Sequence, residues 1–261
     1  VQVSEYLFAA IKAARAAGKI HLKYFRNGVS VSYKSKKNPV TAADKLSEAA
    51  VLKILKKRFP GHGLLCEETC SSLKGVPKGE SSHFWSVDPL DGTVNFIHGL
   101  GQFCVSIGLL KGGVPVVGVI LNPVTEELFY AEKGTGAYLN GRRIRVSGIG
   151  SMEKALLVTG FPYAIKKREK RVIRLLKYFM FKSEGVRRLG SAALDMAHVA
   201  NGVFEGFWEE GLNPWDVAAG AVIVREAGGR VTDYAGGDDF IFGKTLLCSN
   251  GLLHHRMLKL F

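Results

Sequence analysis

Apolar residues recur at Leu7, Ala10, Ile11, Ala14, Gly18, Leu22 and Phe25, the spacing of one face of an amphipathic helix over residues 4–25. Thr41 followed by Asp44 has the form of a capping box, which predicts a second helix running to about Phe59, where Pro60-Gly61 stops it. Short apolar runs then read as strands at 63–66, 84–87, 103–110, 114–122 and 128–131, with Gly112-Gly113 and Asn122-Pro123 as turns, and 134–145 reads as turns and a short strand. After Ser151 strand and helix alternate. The pattern predicts a strand at 155–159, a helix near 165–181 carrying Val172, Leu175, Leu176 and Phe179 as its stripe, and a helix at 192–200. A strand at 204–208, a helix at 214–227 and closing strands around Val231 and 245–249 complete it. Periodicity alone gives an α+β or α/β class. The length is read as a single domain, 1–261, with sub-halves at roughly 1–145 and 146–261.

Candidate chemistry concentrates where strands end. Asp88 and Asp91, in Asp88-Pro89-Leu90-Asp91-Gly92-Thr93, set two carboxylates three residues apart on a turn after an apolar run. Hard oxygen ligands held rigidly suit Mg2+ better than a soft metal, although such a turn also serves purely structural ends. Glu67-Glu68 closes another apolar strand with adjacent acids. Asp216 follows Asn213 and Pro214 at a helix start, where an acid also answers the helix dipole.

Taken together these segments resemble the inositol monophosphatase family, Mg2+-dependent and lithium-sensitive phosphatases of inositol and sugar phosphates. The match comprises Val40-Thr41-Ala42-Ala43-Asp44, Glu67-Glu68, Asp88 through Phe96, Gly190-Ser191-Ala192-Ala193-Leu194-Asp195-Met196, and Trp215-Asp216-Val217-Ala218-Ala219-Gly220 running on to Gly229. It covers nearly the whole chain, in family order. Cys66 stands where Gly commonly precedes the paired acids, and Val94 where Thr is frequent; neither position supplies a metal-binding side chain.

The resemblance implies a layered α-β-α-β-α sandwich of the inositol monophosphatase and fructose-1,6-bisphosphatase type, an α+β fold. It implies that Glu67, Asp88 and the Leu90 carbonyl hold one Mg2+ and that Asp88, Asp91 and Asp216 hold a second, with a third, weaker ion near Glu67. Asp44 paired with Thr93, assisted by Glu67, would activate a water through the metal; no Ser-His-Asp pattern competes. Substrate would meet Leu90, Asp91, Gly92, Thr93, Ser191, Ala192, Asp216 and Arg187, with Glu209 accepting hydrogen bonds from its hydroxyls. A homodimer is expected, and Phe179-Met180-Phe181 and residues 94–100 are candidate contacts.

Composition agrees with a globular enzyme: 47% of residues are hydrophobic, enough for a core. Glu5, Lys12, Arg15, Lys19 and Lys23 interrupt residues 1–25, so no signal peptide or membrane span is read there, and the cytoplasm is the expected compartment. Cys66, Cys70, Cys104 and Cys248 are too scattered for a disulfide framework. Cys66 and Cys70 flank the acidic pair and read either as inert or as regulatory thiols. No Cys/His spacing resembles a zinc site, and His254-His255 read as solvated.

The net charge of +13 fits an anionic substrate, an acidic partner or nucleic acid. Its clusters are Tyr33-Lys34-Ser35-Lys36-Lys37, Lys166 through Arg171, read as a solvated helix face, and Arg187-Arg188 just before the Gly190-Ser191 motif. Few aromatics interleave with the middle cluster, so a stacking platform for single strands is not indicated. The leading function is hydrolysis of inositol 1-phosphate, with tolerance of other sugar phosphates. Fructose 1,6-bisphosphate is the alternative of the same mechanism, Arg187 and Arg188 then supplying an extra anion contact. An alternative of another class is a non-catalytic role in an RNA and transcription antitermination complex, as some bacterial members of the family have. Gly92-Thr93-Val94-Asn95-Phe96 departs from the Gly-Thr-Lys-Glu-Phe usual in 3'-phosphonucleotide phosphatases, which disfavours that substrate.

Overall fold

A computed structural model describes residues 3–27, 31–35, 38–69, 82–162, 166 and 168–261. The chain opens with α1 (Glu5–Tyr24), capped where Ser4 Oγ accepts from the Leu7 N–H at 3.1 Å. A hairpin of β1 (Val31–Ser35) and β2 (Asn38–Thr41), not anticipated from the sequence, leads into α2 (Ala42–Arg58). Next come β3 (Gly63–Cys66), β4 (His83–Asp91), the short α3 (Thr93–Ile97), β5 (Cys104–Lys111), β6 (Val114–Asn122), β7 (Glu127–Glu132), β8 (Gly136–Leu139) and β9 (Arg142–Ile144). The second half carries β10 (Leu156–Thr159), α4 (Glu169–Lys182), β11 (Gly185–Arg187), α5 (Ala192–Ala200), β12 (Gly206–Glu210), α6 (Pro214–Glu226), β13 (Arg230–Thr232), β14 (Thr245–Ser249) and α7 (His254–Leu258).

The strands β3 to β9 form a seven-stranded sheet in chain order, antiparallel except for the β3–β4 pair. A five-stranded sheet runs β11-β10-β12-β14-β13, with β10 parallel to both its neighbours. Alternation along each strand sends side chains to two cores. Trp85, Val87, Val105, Ile107 and Leu109 meet the alanine face of α1 (Ala10, Ala13, Ala14) and Val51 of α2. On the opposite face Phe84 and Phe129 join Met196 of α5, Val222 of α6, and Phe207 and Cys248 of the five-stranded sheet. A further core, Leu157, Trp208 and Leu247 with Leu175 and Phe179 of α4 and Met257 of α7, covers that sheet's far side. The order is therefore helix pair, sheet, helix pair, sheet, helices, an α+β layered fold.

Three expectations change. The strand ending before Asp88 continues to Asp91, with a register shift against β5 between Asp88 and Asp91; Pro89, lacking an N–H, interrupts the ladder there. His254 is not solvated. Packing of α7 on β14 buries it, its Nδ1 2.9 Å from Ser249 Oγ and its Nε2 3.0 Å from Thr232 Oγ1, and burial pushes its pKa down to about 4. The helix of the basic segment begins at Glu169; residues 163–165 and 167 of that stretch, like Cys70, lie outside the described residues. Cys66, Cys104 and Cys248 are buried, the inert alternative for Cys66.

Candidate active site

Helix α6 lies in the middle layer because the sheet makes room for it. Gly108 and Gly118 face each other across β5 and β6, and a Cβ on Gly118 would come within 2.2 Å of the Ala219 carbonyl oxygen. Ser106 Oγ, on the same strand as Gly108, donates to the Trp215 carbonyl at 3.2 Å. These contacts seat the first turn of α6, and with it Asp216, beside the bulge at Asp88 and Asp91. One cavity is consequently lined by Glu67, Asp88, Leu90, Asp91, Gly92, Thr93, Ala192, Glu209 and Asp216, nine of the residues singled out in the sequence.

Three ligand candidates, Asp88, Asp91 and Asp216, each have one oxygen fixed by the backbone or a hydroxyl. The Leu90 N–H donates to Asp88 Oδ1 at 2.9 Å, the Asn213 N–H to Asp216 Oδ2 at 2.6 Å, and both Ser191 Oγ and the Ala193 N–H to Asp91 Oδ2 at 2.7 and 2.8 Å. Ser191 is thus buried behind Asp91 and does not line the cavity. The turn itself is held from beneath: the buried His21 of α1 donates from Nε2 to the Pro89 carbonyl at 2.8 Å.

The carboxylates repel one another. Burial first, then the charges of Glu67, Asp91 and Asp216, raise Asp88 well above the ordinary carboxyl range. Burial and the charges of Asp91 and Glu67 raise Asp216 to about 8, and burial raises Asp91 to about 6. Among the described residues no three His, Cys, Asp or Glu side chains form a finished metal cage. The donor set nonetheless fits a hard divalent cation: buried carboxylates and a main-chain carbonyl gather where only a proton or a cation relieves their charge.

Asp44 both closes the cap of α2 and contacts Thr93. Its Oδ2 accepts from the Thr41 N–H at 2.7 Å and from Thr41 Oγ1 at 2.6 Å, closing the capping box, while its Oδ1 accepts from Thr93 Oγ1 at 3.2 Å. Thr93 Oγ1 is also 3.0 Å from the Leu90 carbonyl. Burial raises Asp44 to about 6. Gly92 precedes α3 with φ of +93°, a conformation glycine adopts without strain.

Glu209 forms the opposite wall at the end of β12. Burial, then the charges of Asp216 and Asp91, raise it to about 8. Its carboxylate occupies the space beside Gly160, where a Cβ would lie 1.9 Å from Oε2. Arg187 is not placed in the cavity. It ends the edge strand β11 with its side chain exposed, Nη1 3.4 Å from its own strand's Val186 carbonyl, and the guanidinium that lines the cavity is that of Arg188.

Two supporting residues had no role assigned from the sequence, Glu48 outside every motif and Asn95 within the Asp88–Phe96 segment. Glu48 of α2 accepts from the Glu68 N–H at 2.9 Å and from Thr69 Oγ1, fixing the segment that presents Glu67. Asn95 donates to the Gln102 and Leu189 carbonyls at 2.7 and 2.8 Å, tying α3 to the Arg188 loop. A polar residue with its partner many positions away leaves no local trace.

A sequence model of the inositol monophosphatase family matches residues 2–261. The chain is 41% identical over 259 residues to the inositol-1-monophosphatase of Mesorhizobium japonicum, spanning 98% of this chain and 96% of that one. It is 43% identical to the Nus factor SuhB of Pseudomonas aeruginosa, over 89% of this chain and 86% of the relative. The crystal structure of extragenic suppressor protein suhB from Bartonella henselae superposes with a TM-score of 0.91 at 39% identity, covering 98% of each chain.

Proposed function

This chain belongs to the inositol monophosphatase family, and from that premise we propose that its phosphomonoesterase activity is directed at inositol 1-phosphate, with other sugar phosphates accepted. It is a phosphatase that hydrolyses phosphate monoesters, from a metal-dependent family. The observation that carries the substrate reading is Glu209, a half-buried carboxyl lining the same cavity as Asp88 and Asp91, where it would accept hydrogen bonds from ring hydroxyls.

Our reading is that Glu67, Asp88, Asp91, Asp216 and the Leu90 carbonyl would hold two or three Mg2+ ions. When bound, Mg2+ supplies Lewis acidity for the phosphoryl oxygens and a water acidic enough to attack near neutral pH. Asp44 would accept the proton of the Thr93 hydroxyl as that hydroxyl takes one from the attacking water, and the Gly92 and Thr93 amides would meet the phosphate oxygens. Arg188, in place of Arg187, faces the ester's anionic end. Ser191 supports Asp91, and Ala192 lines the wall beside it.

A panel of esters tests this. Inositol 1-phosphate is expected to be cleaved best with Mg2+, and fructose 1,6-bisphosphate more slowly. Glu209→Gln should lower kcat/KM for inositol 1-phosphate by about 1–3 kcal/mol in transition-state terms. Equal turnover by wild type and variant would remove Glu209 from the site, and a preference for the bisphosphate would replace the substrate.

We extend the reading to a homodimer, on the exposure of Val94, Leu100, Met180 and Phe181, the last 78% exposed; Phe179 packs instead in the core against Trp208. Light scattering should give twice the 28.4 kDa chain mass. A second role, in a nucleic-acid or transcription complex, is favoured by the +13 charge and by the name Nus factor carried by a relative. The cytoplasm remains our expected compartment; no helix among the described residues is long and apolar enough to cross a membrane.

A further inference from the structure

From Tyr6 to Ala43 the chain has eight Lys and Arg residues and no Asp or Glu, a bias that neither the core nor the catalytic cavity uses. Lys12, Arg15, Lys19 and Lys23 follow one another at intervals of three and four, so they form one exposed stripe along the outer face of α1. Among the described residues no carboxylate pairs with Lys12, Arg15 or Lys19.

The stripe stands between two grooves. One, of about 840 Å³, runs between α1 and the β6–β7 side of the sheet, floored by Ile11, Leu22, Leu121, Leu128 and Tyr130. The other, of about 400 Å³, lies toward α2 and is walled by Phe8, Ile11, Ala16 and Ile54. Arg15 and Lys19 border both. Phe8 and Leu22, 54% and 48% exposed, mark the two ends.

We infer that the outer face of α1 is a docking surface for an acidic amphipathic helix of a partner protein. Carboxylates on such a helix answer the cationic stripe, and its apolar side chains, recurring every three or four residues, enter the adjacent groove. Charge complementarity alone would also admit RNA, yet RNA has no use for apolar grooves, and this face does not interleave cations with a series of aromatic faces. An anionic membrane would need apolar groups projecting beyond the cations, whereas most of them here form the floors and walls of the grooves.

The test selects displayed helical peptides against the full chain and measures the enriched sequences by fluorescence anisotropy. Two variants accompany it, a triple charge reversal Lys12→Glu, Arg15→Glu, Lys19→Glu, and Ala16→Trp, which fills the smaller groove. Selected peptides should be acid-rich with apolar residues at helical spacing, and each variant should bind them at least ten-fold more weakly while retaining phosphatase turnover. Enriched peptides without that pattern, or wild-type affinity in both variants, would overturn the proposal. So would poly(U) or phosphatidylglycerol vesicles outcompeting the peptides with the same dependence on Lys12, Arg15 and Lys19.

Discussion

Gly118 and Ala219 approach so closely that a single methyl on the glycine would stand 2.2 Å from the alanine's carbonyl oxygen. That contact is backbone, so nothing can swing aside: the helix must lift. Gly118→Ala is expected to cost about 1–3 kcal/mol of stability by overpacking. Because lifting α6 also moves Asp216 from Asp88, the Mg2+ concentration for half-maximal activity should rise by more than the loss of stability explains. Thermal unfolding with a Mg2+ titration checks this, and an unchanged metal requirement would separate the helix seat from the site.

Asp44 and Thr93 permit a sharper separation of structure from catalysis. In Asp44→Asn the remaining oxygen still closes the cap on Thr41, but the amide now donates toward Thr93 and accepts no proton. Both Asp44→Asn and Thr93→Ala should lower kcat by roughly 100-fold or more, with a loss of stability of about 1 kcal/mol or less for Asp44→Asn. A merely structural Asp44 gives the reverse: near-normal turnover and a lower Tm.

The raised carboxyls fix how the metal-free protein responds to pH. Asp216 and Glu209 rise to about 8 from ordinary values of 3.8 and 4.5, and Asp91 to about 6, so the folded chain holds protons that the unfolded chain has released. Folded-state proton uptake stabilises the fold below about pH 4, and this contribution is lost as pH rises through 6 and toward 8. In chelator, Tm should therefore fall from pH 5 to pH 8. Added Mg2+ should flatten the slope, since a cation replaces the protons. A Tm independent of pH in chelator would contradict the raised carboxyls.

Lys244 adopts φ of +67°, rare for a side-chain-bearing residue. Its carbonyl accepts from the Gly211 N–H at 2.6 Å and its ammonium donates to Asn213 Oδ1, while the Asn213 N–H holds Asp216. Lys244→Met keeps the backbone and removes the side-chain tie. Supports of this kind typically change metal affinity by about 10–100-fold, and the lower end is expected in the Mg2+ dependence of turnover. Lys244→Arg should restore most of it.

Much of this was legible because it is local. The capping box at Thr41 and Asp44, the acids around Pro89 and the Pro214 helix start each lie within a few residues, so composition and spacing report them. Non-local pairings did not show. Arg187 and Arg188 are adjacent in sequence, and only the strand end sorts which of them enters the cavity. His254 looked polar and terminal, yet Ser249 and Thr232 satisfy both its ring nitrogens and so permit its burial. Glu48 reads as any helix-surface acid until the loop at Glu68 closes over it.

The seating of α6 bears on what a shared motif can testify to. In Trp215-Asp216-Val217-Ala218-Ala219-Gly220 one side chain bears the charge, while Ala218 is small because Gly108 lies against its Cβ and Gly220 because Met196 packs on it. Most of that signature therefore records a scaffold's tolerance for bulk. A descendant could exchange Asp216 for asparagine, keep every neighbour, and still look like kin while turning over nothing. Ancestry and competence are written in different letters of the same short word.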